Sequence, residues 1–340
     1  MPQAVLFQST ERFQAFRNKL ESYAVPTVVL DFNDADWMDY DFNKADFVIY
    51  YPSFEFSSNS PLALQKVYDN IVFLHETYPH LLLYPDPKAV RYYNDKYRQF
   101  LFLRHNGFPI PETIPLASPA MVDRADRRLG YPMILKNRYG AGGGTVFLIH
   151  DKAELNSYYR MSQLDFIHPG ALKYFASMIS SRLFFWQLLK ARKARFPFFS
   201  APMLAQKYVR ITRDLKTVVN EDRVVEAHWR FQADTSMWKM NIDGGGTGVW
   251  AHVPREALDV STRLATTLQA SWLNLDLIES EGRFLITEFS PVWHHYAYKE
   301  KPSFVYQDDY NIPMPLEISL DLERIIVESF LSSCEHRKKA

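Results

Sequence analysis

Met133-Ile134-Leu135-Lys136-Asn137-Arg138-Tyr139-Gly140-Ala141-Gly142-Gly143-Gly144-Thr145-Val146-Phe147-Leu148-Ile149-His150 reads as two short strands, 133–137 and 145–150, on either side of a glycine loop. The first strand brings one lysine, Lys136, to the edge of the loop. Glycine permits the dihedrals that let successive backbone N–H groups wrap around phosphate oxygens. A lysine at the same place adds a point charge to those phosphates. The pattern is equally that of a glycine-rich hairpin with a solvated lysine, so the loop alone leaves nucleotide binding open. Three other nucleotide-site patterns are excluded by spacing. A Walker loop needs Gly-Lys-Ser/Thr, and here Thr145 follows Gly144 directly. A dinucleotide fingerprint needs its third glycine to open a helix, whereas this loop runs into strand-like Val146-Phe147-Leu148-Ile149. A protein kinase needs His-Arg-Asp and Asp-Phe-Gly segments, and neither string occurs.

A second constellation lies further along. Asp276 and Glu288 occupy two strand-like runs, 274–279 and 283–289, and each is six residues from Gly282 in the turn between them. Antiparallel pairing about that turn predicts the two acids face to face. Oxygen ligands converging in that way suit Mg²⁺, which takes the rest of its shell from water and phosphate.

The order of these motifs resembles that of the ATP-grasp superfamily, in particular its RimK-like amino-acid ligases and glutathione synthetases, over residues 94–291. In that family a lysine at a helix start and a Gly-x-Pro-x-Pro-x-Thr-like segment precede the second lysine. Lys96 and Gly107-Phe108-Pro109-Ile110-Pro111-Glu112-Thr113 match. The resemblance implies that Lys96, Lys136 and Gly142, Gly143 and Gly144 contact ATP. It also implies that Gln206, Lys207, Tyr208 and Val209 form the hinge strand whose backbone reads the adenine edge. Asp214-Leu215-Lys216 resembles the family's Asp-x-Arg segment, with lysine for arginine, and Arg230 and Asn241 stand where the family has its active-site arginine and its Asn-x-x-Gly-Gly loop. Asp276, Glu288 and Ser290 match the magnesium ligands, with Ser290 replacing the usual asparagine by a shorter, weaker donor. The resemblance therefore implies ATP as co-substrate, Mg²⁺ or Mn²⁺ as cofactor, and small-molecule carboxylate and amine substrates joined through an acyl phosphate. It implies an α/β chain with an ATP-grasp fold, α+β in its catalytic part and preceded by a parallel-sheet domain. Two rival functions share the same ATP residues: a kinase acting on a polyol-type hydroxyl, and a nucleotide-binding protein without turnover.

The rest of the chain is consistent with such a plan. At 340 residues it exceeds the usual size of a single core. Runs 4–7, 27–30, 47–51 and 81–84 predict strands of a parallel sheet. Helices are expected after Ser9 or Thr10 through Leu20, from Ser60-Pro61 to Tyr78, from Asn94-Asp95-Lys96 to about His105, over 120–129 and 255–272, and over 316–331. The acidic stretch 31–46 reads as a solvated loop or short helix. Expected units are 1–118, 119–205 with a basic helical insertion at about 165–200, and 206–340. Lys+Arg 39 balances Asp+Glu 39, which gives no footprint for nucleic acid. No run is long and apolar enough for a membrane span, and the first 20 residues do not read as a secretory signal. The single cysteine, Cys334, excludes an intrachain disulfide and suits a reducing compartment such as the cytoplasm.

Two features fall outside this scheme. No acid occurs over 166–213, where Lys173, Arg182, Lys190, Arg192, Lys193 and Arg195 lie, and apolar Phe175, Ile179, Leu183 and Trp186 recur at helical spacing. The segment reads as a lid helix with a solvated basic side, or as a dock for a carrier protein or membrane surface. His294 and His295 follow the metal strand and are candidates for substrate contact.

Overall fold

The computed structural model describes residues 2–9, 12–52, 61–139, 146–163, 203–232, 238, 240, 246–249, 251–292, 304–306, 313–315 and 321–339. The first 84 residues supply a parallel sheet of order β2-β1-β3-β4, made of Ala4–Phe7 (β1), Thr27–Leu30 (β2), Phe47–Ile49 (β3) and Leu82–Tyr84 (β4). All of β1 is buried because both faces of the sheet are covered. Ala4, Leu6, Phe47 and Ile49 point to one cluster, with Phe16 and Leu20 of the helix Phe13–Ser22 and Ile326, Val327 and Phe330 of the helix Leu322–Lys339. Val5, Phe7 and Val48 point to the other, with Val67, Ile71 and Leu74 of the helix Pro61–Thr77.

Several details differ from the sequence reading. The first helix starts at Phe13 after Arg12, a left-handed residue that makes no side-chain cap, so Ser9 does not cap it; Thr10 lies outside the described residues. The acidic stretch forms two short 3-10 helices capped by Asp34 and Asp41, in line with the short-helix alternative, but it is not wholly solvated. Phe32, Trp37 and Phe42 turn inward onto Phe7, whose ring stacks 3.5 Å from that of Phe32. The helix Arg255–Leu268 stops earlier than predicted, at left-handed Gln269, and Trp272 already opens a strand. The last described helix runs Leu322–Lys339, so it extends well past the predicted end at 331; its predicted start lies outside the described residues.

A second sheet, antiparallel, has the order β5-β8-β6-β7 from Thr113–Pro115, Leu204–Lys207, Met133–Lys136 and Val146–Ile149. Its apolar side packs Met133, Leu135, Ile149 and Ala205 against Val122, Ala125 and Leu129 of the helix Pro119–Leu129 and Leu155 of the helix Lys152–Ser162. A third sheet, of order β11-β10-β9-β12-β13, comprises Arg213–Asn220 (β9), Arg223–Phe231 (β10), Thr247–Val249 (β11), Trp272–Ser280 (β12) and Arg283–Ser290 (β13). Its odd-numbered positions Leu215, Val219, Ala227, Trp229, Leu275 and Leu277 pack on Ala257, Leu258, Leu264 and Ala265 of the helix Arg255–Leu268. Each such buried aliphatic side chain is worth roughly 1.5–3 kcal/mol, so this face holds the sheet and frees the other for polar groups. Phe304–Tyr306 (β14) and Pro313–Pro315 (β15) form a separate two-stranded ribbon.

Candidate active site

Side chains alternate across a strand, so burying Leu215, Trp229 and Leu275 on one face fixes Asp214, Lys216, Glu226, His228, Arg230 and Asp276 on the other. The register lines up one row across four strands: His228 opposite Lys216, Lys216 opposite Asp276, and Asp276 opposite Glu288. Asp214 opposes Arg230 in the neighbouring row.

The two acids meet for a reason that the symmetric spacing about Gly282 does not capture. The hairpin turns through two residues, Glu281 (φ 53) and Gly282 (φ 72), with Ser280 opposite Arg283. A regular ladder from that turn would set Asp276 against Thr287. A bulge at Thr287 shifts the register, and Glu288 comes opposite Asp276. Thr287 Oγ1 donates to Asp276 O at 3.0 Å, and the Thr287 carbonyl accepts from Lys136 Nζ at 3.4 Å.

Cations surround the acids. Arg230 grips Asp214 with two bonds of 2.7 Å and reaches Asp276 Oδ2 at 3.2 Å. Lys216 Nζ is 3.6 Å from Asp276 Oδ1, and Lys96 Nζ is 3.4 Å from Glu288 Oε1. Burial alone would raise the Asp276 carboxyl, but Arg230 and Lys216 outweigh it and hold that group down at about 2. Lys136 responds the other way: desolvation, aided by the nearby charge of Lys96, pushes its ammonium down to about 8 against the pull of Glu288 and Asp276. Among the described residues the four cations Lys96, Lys136, Lys216 and Arg230 thus face the three carboxylates Asp214, Asp276 and Glu288, a balance that leaves room for a polyanion.

The helix Lys96–His105 starts at Asp95, whose side chain accepts from Arg98 N at 3.0 Å and also holds Arg138 through contacts of 2.8–3.0 Å. Lys96 N donates to Arg138 O at 2.8 Å, and Asp95 makes a bridge with Tyr139. The exit of β6 toward the glycine loop is therefore tied to the helix that carries Lys96. Gln206 is buried and donates to Thr113 Oγ1 at 3.0 Å, Lys207 donates its N–H to Glu112 O, and Tyr208 and Val209 lie just beyond the ladder. Ser290 Oγ is occupied by its own turn, donating to Val292 O at 2.9 Å and accepting from Val292 N at 3.1 Å. Gly142, Gly143, Gly144, Asn241, His294, His295 and the basic insertion lie outside the described residues. Cys334 is buried in the cluster under the parallel sheet.

Sequence reasoning read Asp95 only as part of a helix start and gave no site role to it or to Arg138, Gln99, Thr287, Glu226 or His228. Glu226-x-His228-x-Arg230 carried a usable signal, since three polar residues at period two share one face. Glu226 and His228 are both fully buried, with Nδ1 and Oε1 3.2 Å apart, and burial pushes the Glu226 carboxyl up to about 8 against Lys216 and Arg12.

The donor set fits a divalent cation of the hard, oxygen-seeking kind. Asp276 Oδ1 is buried without a hydrogen-bond partner, with Lys216 beyond hydrogen-bond distance, and a second carboxylate stands directly opposite. Among the described residues no group of three His, Cys, Asp or Glu side chains converges, so waters and phosphate would complete the shell.

No family model matches the chain. Beta-citrylglutamate synthase B of Danio rerio is 25% identical over 209 residues, 59% of this chain and 42% of that protein. Human N-acetylaspartylglutamate synthase A is 24% identical over 209 residues, 59% of this chain and 44% of that protein. The chain thus spans less than half the length of these curated relatives. Among solved structures, the ATP-grasp ligase PsnB, complexed with a phosphomimetic variant of minimal precursor, Mg and ADP, superposes with a TM-score of 0.59 at 13% identity, covering 97% of this chain and 98% of that one. A likeness over nearly the whole of both chains shows the fold: the three larger sheets are arranged as an ATP-grasp fold.

Proposed function

We propose that the chain is an ATP- and Mg²⁺-dependent ligase that joins a carboxylate to an amine through an acyl phosphate. The observation that carries the reading is the row Lys216-Asp276-Glu288, with Arg230 and Lys96 on its acids and Lys136 beside it. Asp276 and Glu288 hold the cation, with Ser290 the weakest of the three candidate ligands because its hydroxyl already serves Val292. When bound, Mg²⁺ supplies charge neutralisation to the nucleotide phosphates. Lys96 and Lys136 bind the phosphates as point charges; a role for the glycine loop 140–144 at the same phosphates rests on its sequence alone. Backbone groups from Gln206 to Val209 read the adenine edge. The substrate carboxylate attacks the γ-phosphate in line, and ADP leaves. Arg230, oriented by Asp214, offsets the negative charge that gathers as the amine adds to the acyl phosphate and phosphate departs. Asn241, outside the described residues, is assigned to the reacting centre by the resemblance of 241–245 to the family's Asn-x-x-Gly-Gly loop alone.

The working units of the proposal are 1–118, 119–205 and 206–340. Among the described residues no helix is long and apolar enough to cross a membrane, and the single cysteine suits the cytoplasm. The test is ADP release against acids and amines, followed by mass analysis of the product. Citrate, N-acetylaspartate and glutamate lead the panel because the curated relatives are named for such compounds, and other amino acids and short peptides follow. An amide with ADP and phosphate is expected. Phosphate retained on a hydroxyl product would overturn the reading in favour of a kinase, and ATP binding without turnover in favour of a non-catalytic relative.

A further inference from the structure

The strand that bears Glu288 is the last in its sheet, so among the described residues one of its edges has no strand partner. Backbone groups on such an edge ordinarily go to water or invite another strand, and when buried they must find partners. Here the partners come from the segment that carries Lys96 and from Lys136. Ile286 N donates to Pro109 O at 2.8 Å, and Thr287 O accepts from Lys136 Nζ at 3.4 Å. Phe289 is met at both of its backbone groups by one side chain, Gln99. Phe289 N donates to Gln99 Oε1 at 3.2 Å, and Gln99 Nε2 donates to Phe289 O at 2.8 Å.

A primary carboxamide has the donor and acceptor of a peptide group, so Gln99 pairs with Phe289 as one residue of an added strand would. The remaining Nε2 hydrogen goes to Tyr92 O at 2.9 Å, which fixes the side chain from behind. Gln99 is 2% exposed. The ring of Phe289 packs in a three-ring cluster with Tyr92 and Phe102, at centroid distances of 5.4 and 6.3 Å. The geometry therefore allows little slip between helix and strand.

Spacing gives this contact its meaning. Gln99 follows Lys96 by three residues, so both side chains leave the same face of the helix Lys96–His105. Phe289 follows Glu288 directly. One helical turn thus grips two consecutive strand residues, Lys96 at the Glu288 carboxylate (3.4 Å) and Gln99 at the Phe289 backbone. We infer that Gln99 is a positioning residue for the metal carboxylate: its carboxamide docks the edge of the strand and sets the placement of Glu288 against Lys96 and Lys136. The inference rests on the ATP and Mg²⁺ reading above. Residues of this kind act through a ligand they orient, and their loss typically lowers metal affinity ten- to a hundredfold.

Gln99→Met keeps the length of the side chain and removes its donors and acceptor. Titration calorimetry with ADP, in EDTA and in Mg²⁺, separates nucleotide binding from the metal-dependent gain. For the variant we expect ADP affinity in EDTA within about twofold of the parent and MgADP affinity weakened about tenfold. A residue that merely plugged a buried edge would lower the melting temperature and leave the metal-dependent gain intact, and that result overturns the inference. Gln99→Asn retains the carboxamide but falls one methylene short, and it should lose part of the same gain. If Gln99→Met fails to fold, the Asn variant decides by the same ratio. A parent protein that binds no ADP under either condition overturns the ATP reading and the inference with it, whereas normal parent binding with an unchanged ratio in the variants overturns the inference alone.

Discussion

Glu226 offers a perturbation whose size follows from the structure. It is fully buried beside His228, and burial raises its carboxyl from 4.5 to about 8. An acid whose folded pKa is raised keeps its proton in the native state over a range where the unfolded chain has already released it. Stability then falls as pH rises from 4.5 to about 8, and is flat with respect to this group above that. Each unit is worth about 1.4 kcal/mol, so the slope between about pH 5.5 and 8 amounts to roughly 3 kcal/mol, less whatever the surroundings recover by relaxing. Glu226→Gln keeps the shape and removes the titration. The variant should be close to the parent in stability at about pH 5.5 and more stable by a few kcal/mol at about pH 8, an advantage of several degrees in melting temperature. Thermal melts of both proteins across this range, in matched buffers, measure the difference directly. A constant offset between the two curves, or a variant that loses ground toward pH 8, would show that Glu226 is ionised in the folded state and that Lys216 and Arg12 outweigh burial.

Other outcomes follow from the site. Lys136→Ala should weaken ATP binding, and Glu288→Ala should abolish Mg²⁺-dependent ADP formation, with circular dichroism unchanged in both; full turnover in either would refute the ATP assignment. Arg230→Leu leaves Asp214 and Asp276 facing each other without their shared cation, so it should cost about 3–5 kcal/mol of stability as well as activity, read by denaturant unfolding. Deleting Thr287 closes the hairpin into a regular ladder that still sets Glu288 opposite Asp276, but removes the carbonyl that anchors Lys136. The protein should fold and bind ATP more weakly, as calorimetry would register.

Much of this was legible in the sequence because it depends on local periodicity. Ala4–Phe7 and Thr27–Leu30 appear where short β-branched runs predict them, and Asp95 caps its helix as the order Asn94-Asp95-Lys96 suggests. The pairing of Asp276 with Glu288 was anticipated from equal distances to Gly282, although the turn has two residues and the bulge at Thr287 makes up the difference. That bulge leaves a trace in the apolar spacing, since Phe284, Ile286 and Phe289 step by two and then by three. What escaped reading was tertiary. Nothing near Gln99 in sequence announces Phe289, 190 positions away, and the aromatic residues among the acids of 31–46 show their burial only once Phe7 lies beneath them.

The helix Leu322–Lys339 covers one face of the first sheet, and its ion pairs reach back to the first helix: Arg12 with Glu323 and Lys19 with Asp321 at 2.7 Å. Order of synthesis gives this closure a cost. A ribosome adding about 5–20 residues per second needs roughly 15–55 seconds to pass from Phe47 to Leu322. For that interval Phe16, Phe47 and Ile49 lack the helix that covers them in the folded chain. A stop codon anywhere before that helix would leave the same apolar face open permanently, and the truncated product should be found with chaperones or in aggregates.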